Sequence, residues 1–178
     1  MTSTLKVNTI QGASNTTTTI KTNGGTDAMT IDTSGRILTP ARPAFHVQNN
    51  AQQTASANNE TVLFQVVNLN SGGHWDASNH KFTVPVAGIY VFDCQWLSVN
   101  DANAHDLAIS KKPSGSTHVE ISRTRNATVS LHETTCMHYV GQFGVGDEVE
   151  VRLSNSGQKV YGDANVFGWT SFMGYLLG

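Results

Sequence analysis

Charged residues are scarce in this sequence. Only 13% of its 178 residues are Asp, Glu, Lys or Arg, whereas a typical soluble domain has about 25%. The formal net charge is −2, and the densest basic cluster is the pair Lys111-Lys112. A protein that follows a phosphate backbone needs a larger basic patch than this. We therefore expect no nucleic-acid partner.

Long apolar segments are absent as well. No run approaches the roughly 18 apolar residues of a membrane-spanning helix, so we expect no insertion into a membrane. The first residues, MTSTLKVNTI, lack the basic region and the apolar stretch of a secretion signal. We therefore expect no signal peptide.

Cysteine is rare. The two residues of this type, Cys94 and Cys136, lie in segments with a strand-like pattern. Their number alone permits a disulfide. Our interpretation is that both are buried or half-buried thiols that act as small apolar residues.

Helical periodicity is nearly missing, and a strand pattern takes its place. Short apolar runs alternate with polar residues and end at Gly, Asn, Asp or Ser, which is typical of an all-β sandwich or barrel. The predicted strands are Ala44–Gln48, Thr61–Val67, Lys81–Val84, Gly88–Val99, Asp106–Lys111, Thr117–Arg123, Glu133–Phe143, Glu148–Leu153 and Val166–Leu177.

The clearest run is Gly88–Leu97, because its two faces differ in composition. Successive side chains of a strand point to opposite sides. The side predicted to line the core contains Tyr90, Phe92, Cys94 and Trp96. The other side mixes apolar and polar residues, Ile89, Val91, Asp93 and Gln95. Such a mixed composition is expected for a face that meets a neighbouring subunit.

Residues 1–42 differ from the rest of the chain. They contain no aromatic residue and no Cys, and they are rich in Thr, Asn and Gly. The runs Asn23-Gly24-Gly25 and Thr33-Ser34-Gly35 predict tight turns. So little apolar area cannot fold a lone chain of this length. We predict a short β-rich fibrous stem (1–42) in which identical chains intertwine, with a flexible linker as the alternative, followed by a head (43–178).

A series of spaced aromatic residues runs through the head. Its landmarks are Phe64, Asn70, Trp75, Phe82, Gly88, Tyr90 and Phe92. The spacing resembles that of the C1q-like globular domain, except that Cys94 stands where that family has Phe or Tyr. The turn at 143–149 (FGVGDEV) and the last strand at 172–177 (FMGYLL) are also similar to segments of that family. The resemblance extends over residues 43–178.

The resemblance implies a C1q/TNF-like jelly-roll sandwich that assembles as a homotrimer. Residues that it assigns either to the contacts about the three-fold axis or to the core are Gly88, Tyr90, Phe92, Phe143, Phe172 and Tyr175.

The stem suggests a setting for this head. Animal members of the family carry a secretion signal and a collagen-like stalk, and neither is found here. The phrases TSTLKVNTIQ, TDAMTIDTSGRI and TPARPAF are instead similar to those of bacteriophage tail-fibre proteins, particularly those of cyanophages. The leading hypothesis is a trimeric tail-fibre tip or virion attachment protein that binds a host cell-surface receptor, glycan or protein, and meets other virion or tail proteins through its stem. The alternatives are a purely structural trimerisation or capping domain and, more remotely, a glycan-degrading fibre enzyme.

Receptor contacts are expected on the head loops Asn100–Asp106, Pro113–Ser116 and Tyr161–Asn165. The candidate contact residues are Asn100, Asp101, Asn103, His105, Asp106, Tyr161, Asp163 and Asn165. Trp75 and Tyr161 are the aromatic side chains considered for stacking on sugar rings, with packing in the protein as the alternative.

One candidate metal site and no catalytic site emerge from the sequence. Asp101 and Asp106 lie in a loop rich in oxygen ligands that would suit calcium, although such loops are commonly plain turns. The adjacent pairs His105-Asp106 and His132-Glu133 place their side chains on opposite faces of a strand, and no paired-carboxylate motif occurs. We therefore expect no enzyme activity and, apart from calcium, no cofactor.

Overall fold

The structure is a computed structural model that describes residues 5–7, 9–13, 16–99, 104–126, 132–165 and 168–178. Every regular secondary-structure element in the described residues is a β-strand. The chain divides into two compact units, Met1–Arg42 and Pro43–Gly178. In this described part of the chain, no helix has the length and apolarity needed to cross a membrane.

The unit predicted to be the stem, Met1–Arg42, contains one small antiparallel sheet, formed by β1 (Thr18–Lys21), β2 (Asp27–Ile31) and β3 (Ile37–Leu38) in that order. Both predicted turns are present, and each places a glycine at positive φ: Gly25 at 82° and Gly35 at 79°. A side chain would be strained at such a φ. These turns therefore depend on glycine.

Most apolar residues of this small sheet are exposed, including Ile20, Ile37 and Leu38. Among the described residues of this unit the three strands form a single layer, and no second layer packs against it. The stem thus has little core of its own, as its composition predicts.

Thirteen strands occur in the described part of the head. In chain order they are β4 (Ala44–Gln48), β5 (Gln53–Thr54), β6 (Glu60–Thr61), β7 (Val66–Ser71), β8 (Trp75–Asp76), β9 (Lys81–Thr83), β10 (Gly88–Leu97), β11 (His105–Lys112), β12 (Val119–Asn126), β13 (Thr134–Phe143), β14 (Glu148–Leu153), β15 (Lys159–Val160) and β16 (Ser171–Leu176).

These strands form a jelly-roll-like sandwich, as predicted. The first sheet has five strands in the order β13-β10-β16-β4-β7. The second has six, in the order β12-β11-β14-β9-β8 with β6 beside β14. A short pair, β15-β5, lies apart from both. All pairings are antiparallel, which suits strands that bury one face and leave the other free.

The core between the two sheets is largely aromatic. Phe45 of the first sheet packs on Phe82 of the second, with ring centroids 4.8 Å apart, and Phe92 packs edge-on against Phe143 at 5.1 Å. The predicted inward face of β10 is confirmed, since Tyr90, Phe92, Cys94 and Trp96 are all buried. Aromatic pairs at these distances add to the stabilisation from buried area.

Gly174 makes this aromatic packing possible. A Cβ atom at this position would lie 2.4 Å from the Phe92 ring and 2.8 Å from the Phe45 ring. Real Cβ contacts are longer than this, so any side chain at 174 would push the rings apart. The glycine in the last strand therefore leaves room for the bulky residues that face it.

The prediction for Thr61–Val67 is only partly correct. Val62 and Phe64 are buried on alternate positions, as in a strand. However, the N–H group of Leu63 donates to the side-chain Oε1 of Gln53 at 2.8 Å rather than to a neighbouring strand. The segment is therefore extended without being a continuous ladder, and regular pairing resumes at Val66.

The two cysteines behave differently from each other. Cys94 is buried, as predicted, and burial raises the pKa of its thiol. Cys136 is exposed, so the prediction that it is buried or half-buried is wrong. It lies opposite Gln95 in the β10–β13 ladder, and that register turns it to the outer side of the sheet. Both thiols are free.

Candidate functional site

The outer face of the five-stranded sheet is apolar and almost free of charge. Asp93 is the only Asp, Glu, Lys or Arg in its five described strands. Several large apolar side chains are nevertheless open to solvent, with Val140 the most exposed of those on this face at 58%. We call this surface the mixed face, and define it by Ile89, Val91, Asp93, Gln95, His138, Val140, Met173 and Tyr175.

The strand register makes the mixed face continuous. Val91 lies opposite Val140 on one side and opposite Tyr175 on the other. One step along the strands, Asp93 lies between His138 and Met173, and the Asp93 carboxylate contacts the His138 ring nitrogen Nδ1. Exposed apolar side chains such as Val140, Met173 and Tyr175 therefore lie on one surface, with Asp93 and His138 among them.

The outer face of the six-stranded sheet has the opposite character. Its strands carry twelve Asp, Glu, Lys and Arg residues, several of them joined in ion pairs. Lys81 Nζ lies 2.7 Å from Glu148 Oε1, and this contact lowers the pKa of Glu148. Arg152 Nε lies 3.2 Å from Glu150 Oε1, although burial raises the pKa of Glu150. We call this surface the ion-paired face.

The residues predicted for the core or the three-fold axis are mostly buried in the core. Tyr90, Phe92, Phe143 and Phe172 are all buried between the sheets and belong to the core. Gly88 is half-buried beside the last residues of the chain. Only Tyr175 lies on the mixed face. The sequence does not single out Val140 or His138 for this face. The signal that could have found them is the lack of charged residues in their strand.

A second feature lies at one end of the head. The chain enters the head at Pro43 and leaves it after β16 at the same end, where the Leu176 N–H donates to the Pro43 carbonyl at 3.1 Å. At the opposite end a cavity of about 400 Å³ is open to solvent. We call it the distal pocket, and it is lined by Leu97, His132, Thr134, Tyr161, Asp163 and Trp169.

Buried hydrogen bonds fix the floor of the distal pocket. The Thr170 hydroxyl accepts the Leu97 N–H at 3.2 Å and donates to the Tyr161 carbonyl at 2.7 Å. The Tyr161 N–H donates to the Leu97 carbonyl at 2.9 Å. Next to it, a Cβ atom at Gly162 would overlap Asn49 Oδ1 at 1.7 Å. The backbone therefore reaches this position only because residue 162 is glycine.

The side chains of the pocket combine aromatic surface with one carboxylate. The His132 and Tyr161 rings meet at 5.0 Å with an interplanar angle of 67°. The Tyr161 hydroxyl donates to Asp163 Oδ2 at 3.3 Å, and the Asn165 N–H donates to Asp163 Oδ1 at 2.8 Å. Trp169 stands beside them with 41% of its surface exposed. Two of the predicted contact residues, Tyr161 and Asp163, thus line this pocket, and Asn165 positions one of them.

Other predicted contact residues are placed elsewhere. His105 is fully buried at the start of β11, where its Nδ1 accepts the Lys159 N–H at 3.0 Å, so its prediction as a receptor contact is wrong. Trp75 is buried against Phe45 and cannot stack on an external sugar. Trp75 therefore packs within the protein, which is the alternative role given for it above. Asn100, Asp101 and Asn103 lie outside the described residues.

The loop Pro113–Ser116 does not join the other predicted contact loops. It follows β11, whose last residue Lys112 pairs with Glu148 at the end of the head nearest Pro43. Pro113–Ser116 and Tyr161–Asn165 therefore lie at opposite ends of the head.

The calcium prediction does not fit Asp106. Its carboxylate is nearly buried and lies 3.0 Å from Arg123 Nη2 and 3.3 Å from Arg125 Nε. Two guanidinium groups already neutralise it, and they would repel a divalent cation. Asp101, the other proposed ligand, is outside the described residues. Over the described ranges, no group of three or more His, Cys, Asp or Glu side chains could hold a metal ion.

Comparison with known protein families gives one match over most of the head. The C1q domain family is matched over residues 44–177. Caprin-2 of Danio rerio is 28% identical over 140 residues, which cover 79% of this chain and 14% of Caprin-2. Complement C1q tumor necrosis factor-related protein 2 of Mus musculus is 31% identical over 119 residues, 65% of this chain and 37% of that protein. The chain thus spans well under half the length of these relatives.

Solved structures share the fold. The globular domain of zebrafish complement 1qA protein superposes with a TM-score of 0.58 at 18% identity, covering 76% of this chain and 98% of that one. Murine APRIL superposes with a TM-score of 0.61 at 17% identity, covering 76% and 99%. Likeness at such low identity concerns the fold alone.

Proposed function

The chain belongs to the C1q domain family, and from this premise we propose that it is a trimeric bacteriophage tail-fibre tip or virion attachment protein that binds a receptor on the host cell surface. Domains of the C1q/TNF type typically form homotrimers and are generally ligand-binding or structural, with no catalytic family indicated. The trimer, the virion setting and the receptor are the finer parts of the proposal, and each has its own support.

The composition of the mixed face is the main observation in support of the proposed trimer. Burying apolar surface is worth about 25 cal/mol per Å², and the exposed side chains of Ile89, Val140, Met173 and Tyr175 offer such surface side by side. Only one carboxylate, Asp93, would have to be desolvated, and it already contacts His138. A face with so little charge can be covered by identical chains at low electrostatic cost.

The stem supports the fibre setting. Its one sheet leaves Ile20, Ile37 and Leu38 exposed, so chains that intertwine would bury apolar area that a single chain cannot. Three heads that associate would hold three stems in register, so that the stems could intertwine. In this proposal the stem contacts other virion or tail proteins, and the protein is a part of the virion.

A trimer would strengthen attachment to the host cell through avidity. Three heads present three copies of any surface site at the same end. Linked sites bind with a high effective concentration, so weak single contacts add up to firm attachment. This is an advantage for a receptor-binding tip.

Two measurements on the full chain test the proposal. Light scattering should give about 57 kDa, three times the chain mass of 19.1 kDa, and a monomer at micromolar concentration would contradict the trimer. Fluorescently labelled protein should decorate cells of a susceptible bacterium within a panel that includes cyanobacteria. A trimer that decorates none of them would point to a capping domain instead, and a fall in the viscosity of a bacterial polysaccharide would indicate an enzyme.

A further inference from the structure

The distal pocket has the chemistry of a small-ligand site. Such sites are concave, are lined mainly by apolar and aromatic side chains, and contain a few fixed polar groups that orient the ligand. Here the walls come from Leu97, Tyr161 and Trp169, and the polar groups from His132, Thr134 and Asp163. The volume of about 400 Å³ falls within the usual range for such sites.

Hydrogen bonds fix the positions of polar groups in the pocket. Asp163 is fixed by the Asn165 N–H and the Tyr161 hydroxyl, and His132 Nδ1 lies 2.8 Å from the Ser98 carbonyl. The buried Thr170 fixes the backbone on which Tyr161 stands. A preformed site loses little conformational entropy when a ligand binds.

The charge of the pocket restricts the ligand. Asp163 is a carboxylate, and no Lys or Arg is found among the described residues that line the pocket. An acidic ligand would meet uncompensated repulsion from Asp163. A ligand with hydroxyl groups would instead donate hydrogen bonds to this carboxylate, and such charge-assisted bonds are among the stronger ones.

The exposed ring of Trp169 supplies the remaining specificity. An exposed indole ring offers a flat apolar platform, and the C–H face of a pyranose ring is flat and apolar while its edge carries hydroxyls. We infer that the distal pocket binds a neutral pyranose sugar that packs on Trp169 and donates its hydroxyls to Asp163. The inference rests on the proposed function in one respect, since the sugar would belong to the surface to which the head attaches.

Tryptophan fluorescence of the full chain gives a direct test. Trp75 and Trp96 are buried, whereas Trp169 is exposed, so a sugar that covers Trp169 should change the emission of that residue. The probes are the methyl glycosides of galactose, glucose, mannose and N-acetylglucosamine, with that of N-acetylneuraminic acid as the acidic comparison. At least one neutral glycoside should bind with Kd on the order of 1 mM, and the acidic one at least tenfold more weakly.

Variants of the pocket sharpen the test, with binding followed by saturation-transfer NMR because one variant lacks the reporter ring. Trp169→Ala should weaken binding of the neutral glycoside by at least tenfold and Asp163→Asn by about fivefold. Val119→Ala, an exposed apolar residue on β12, should leave it unchanged. The inference is overturned if none of the neutral glycosides binds, if the acidic one binds better, or if Trp169→Ala binds as well as the parent chain.

Two further readouts separate this inference from its rivals. Trp169→Ala should keep the mass of the parent chain in light scattering, because a fall in mass would show that Trp169 contacts a second copy and would overturn the sugar assignment. Decoration of cells that persists in Trp169→Ala would also overturn it while leaving the attachment role intact. Glycoside binding without decoration of any strain would support the pocket and contradict the attachment role.

Discussion

The two sheets of the head are alike on the inside and different on the outside. Both send aromatic or branched side chains into one core, as Phe92 and Phe82 illustrate. The strands differ in charge, because those of the first sheet contain one charged residue and those of the second contain twelve. Solvent-facing strands gain from charge, whereas a surface that is to be covered is better without it. The contrast supports the proposal that identical chains cover the mixed face.

A charge on the mixed face should have the largest effect. Val140→Arg would place a guanidinium at the same position of all three subunits, and burying an unpaired charge costs several kcal/mol. We expect the mass in light scattering to fall from about 57 kDa to that of one chain, 19.1 kDa. The matched change on the other sheet is Val119→Arg, since Val119 is exposed to 55% and Val140 to 58%. Equal masses for Val140→Arg and Val119→Arg would contradict the proposal that the mixed face, and not the ion-paired face, forms the subunit contact.

Loss of a core ring should cost the same from either sheet. Phe92→Ala and Phe82→Ala each remove a fully buried ring and should lower the free energy of unfolding by about 3–5 kcal/mol. Urea unfolding at one fixed protomer concentration measures both, because assembly makes apparent stability depend on concentration. A clearly smaller loss for one of them would show that the sheets differ inside as well as outside.

Asp147 should give a smaller, pH-dependent effect. Burial alone would raise the pKa of Asp147, but a hydrogen bond with Lys111, at 2.7 Å, and the N–H of Gly144, at 2.8 Å, outweigh it and leave the pKa below its usual value. Asp147→Asn should therefore destabilise the protein by about 1–2 kcal/mol at pH 7.

The pH dependence of that loss has a defined sign. A carboxylate whose pKa is lower in the folded state stabilises fully above the unfolded value of about 4, and the stabilisation disappears as pH falls through the folded value. The difference between Asp147→Asn and the parent chain in urea midpoints should shrink over this range. A difference that stays constant down to pH 2 would exclude the ion pair as its cause.

A surface pair of the ion-paired face should contribute least. Glu120 lies 3.2 Å from Arg123 with both side chains well exposed, and pairs of this kind are worth about 0–1 kcal/mol. Glu120→Gln should change the urea midpoint little, and added salt should remove even that change. A larger loss would mean that the charges of this face do more than keep it soluble.

Much of the fold could be predicted from the sequence because burial follows the strand period. The alternation through Gly88–Leu97 determines which side of β10 enters the core. The break inside Thr61–Val67 could not be predicted, since the Leu63 N–H donates to the side chain of Gln53 and not to a neighbouring strand. The alternation of apolar and polar residues indicates which side chains are buried. It does not indicate which group accepts the hydrogen bond of a backbone N–H.

The candidate site was harder to predict than the fold. Tyr161 and Asp163 were found as loop residues, but Trp169 and His132 join them only through the folding of separate segments. His105 looks like a loop residue in the sequence, yet its ring fills a buried position and binds the Lys159 N–H. Polar residues in loops are informative only once burial is known.

The bond between Leu176 and Pro43 has a practical consequence for protein engineering. Because the entry and exit of the head are neighbours, a short linker could join them, and new chain ends could be opened in the exposed turn at Ser114 and Gly115. Proteins whose ends are close often tolerate such circular permutation. A permuted head should keep both sheets, and its new chain ends would stay at the end of the head opposite the distal pocket.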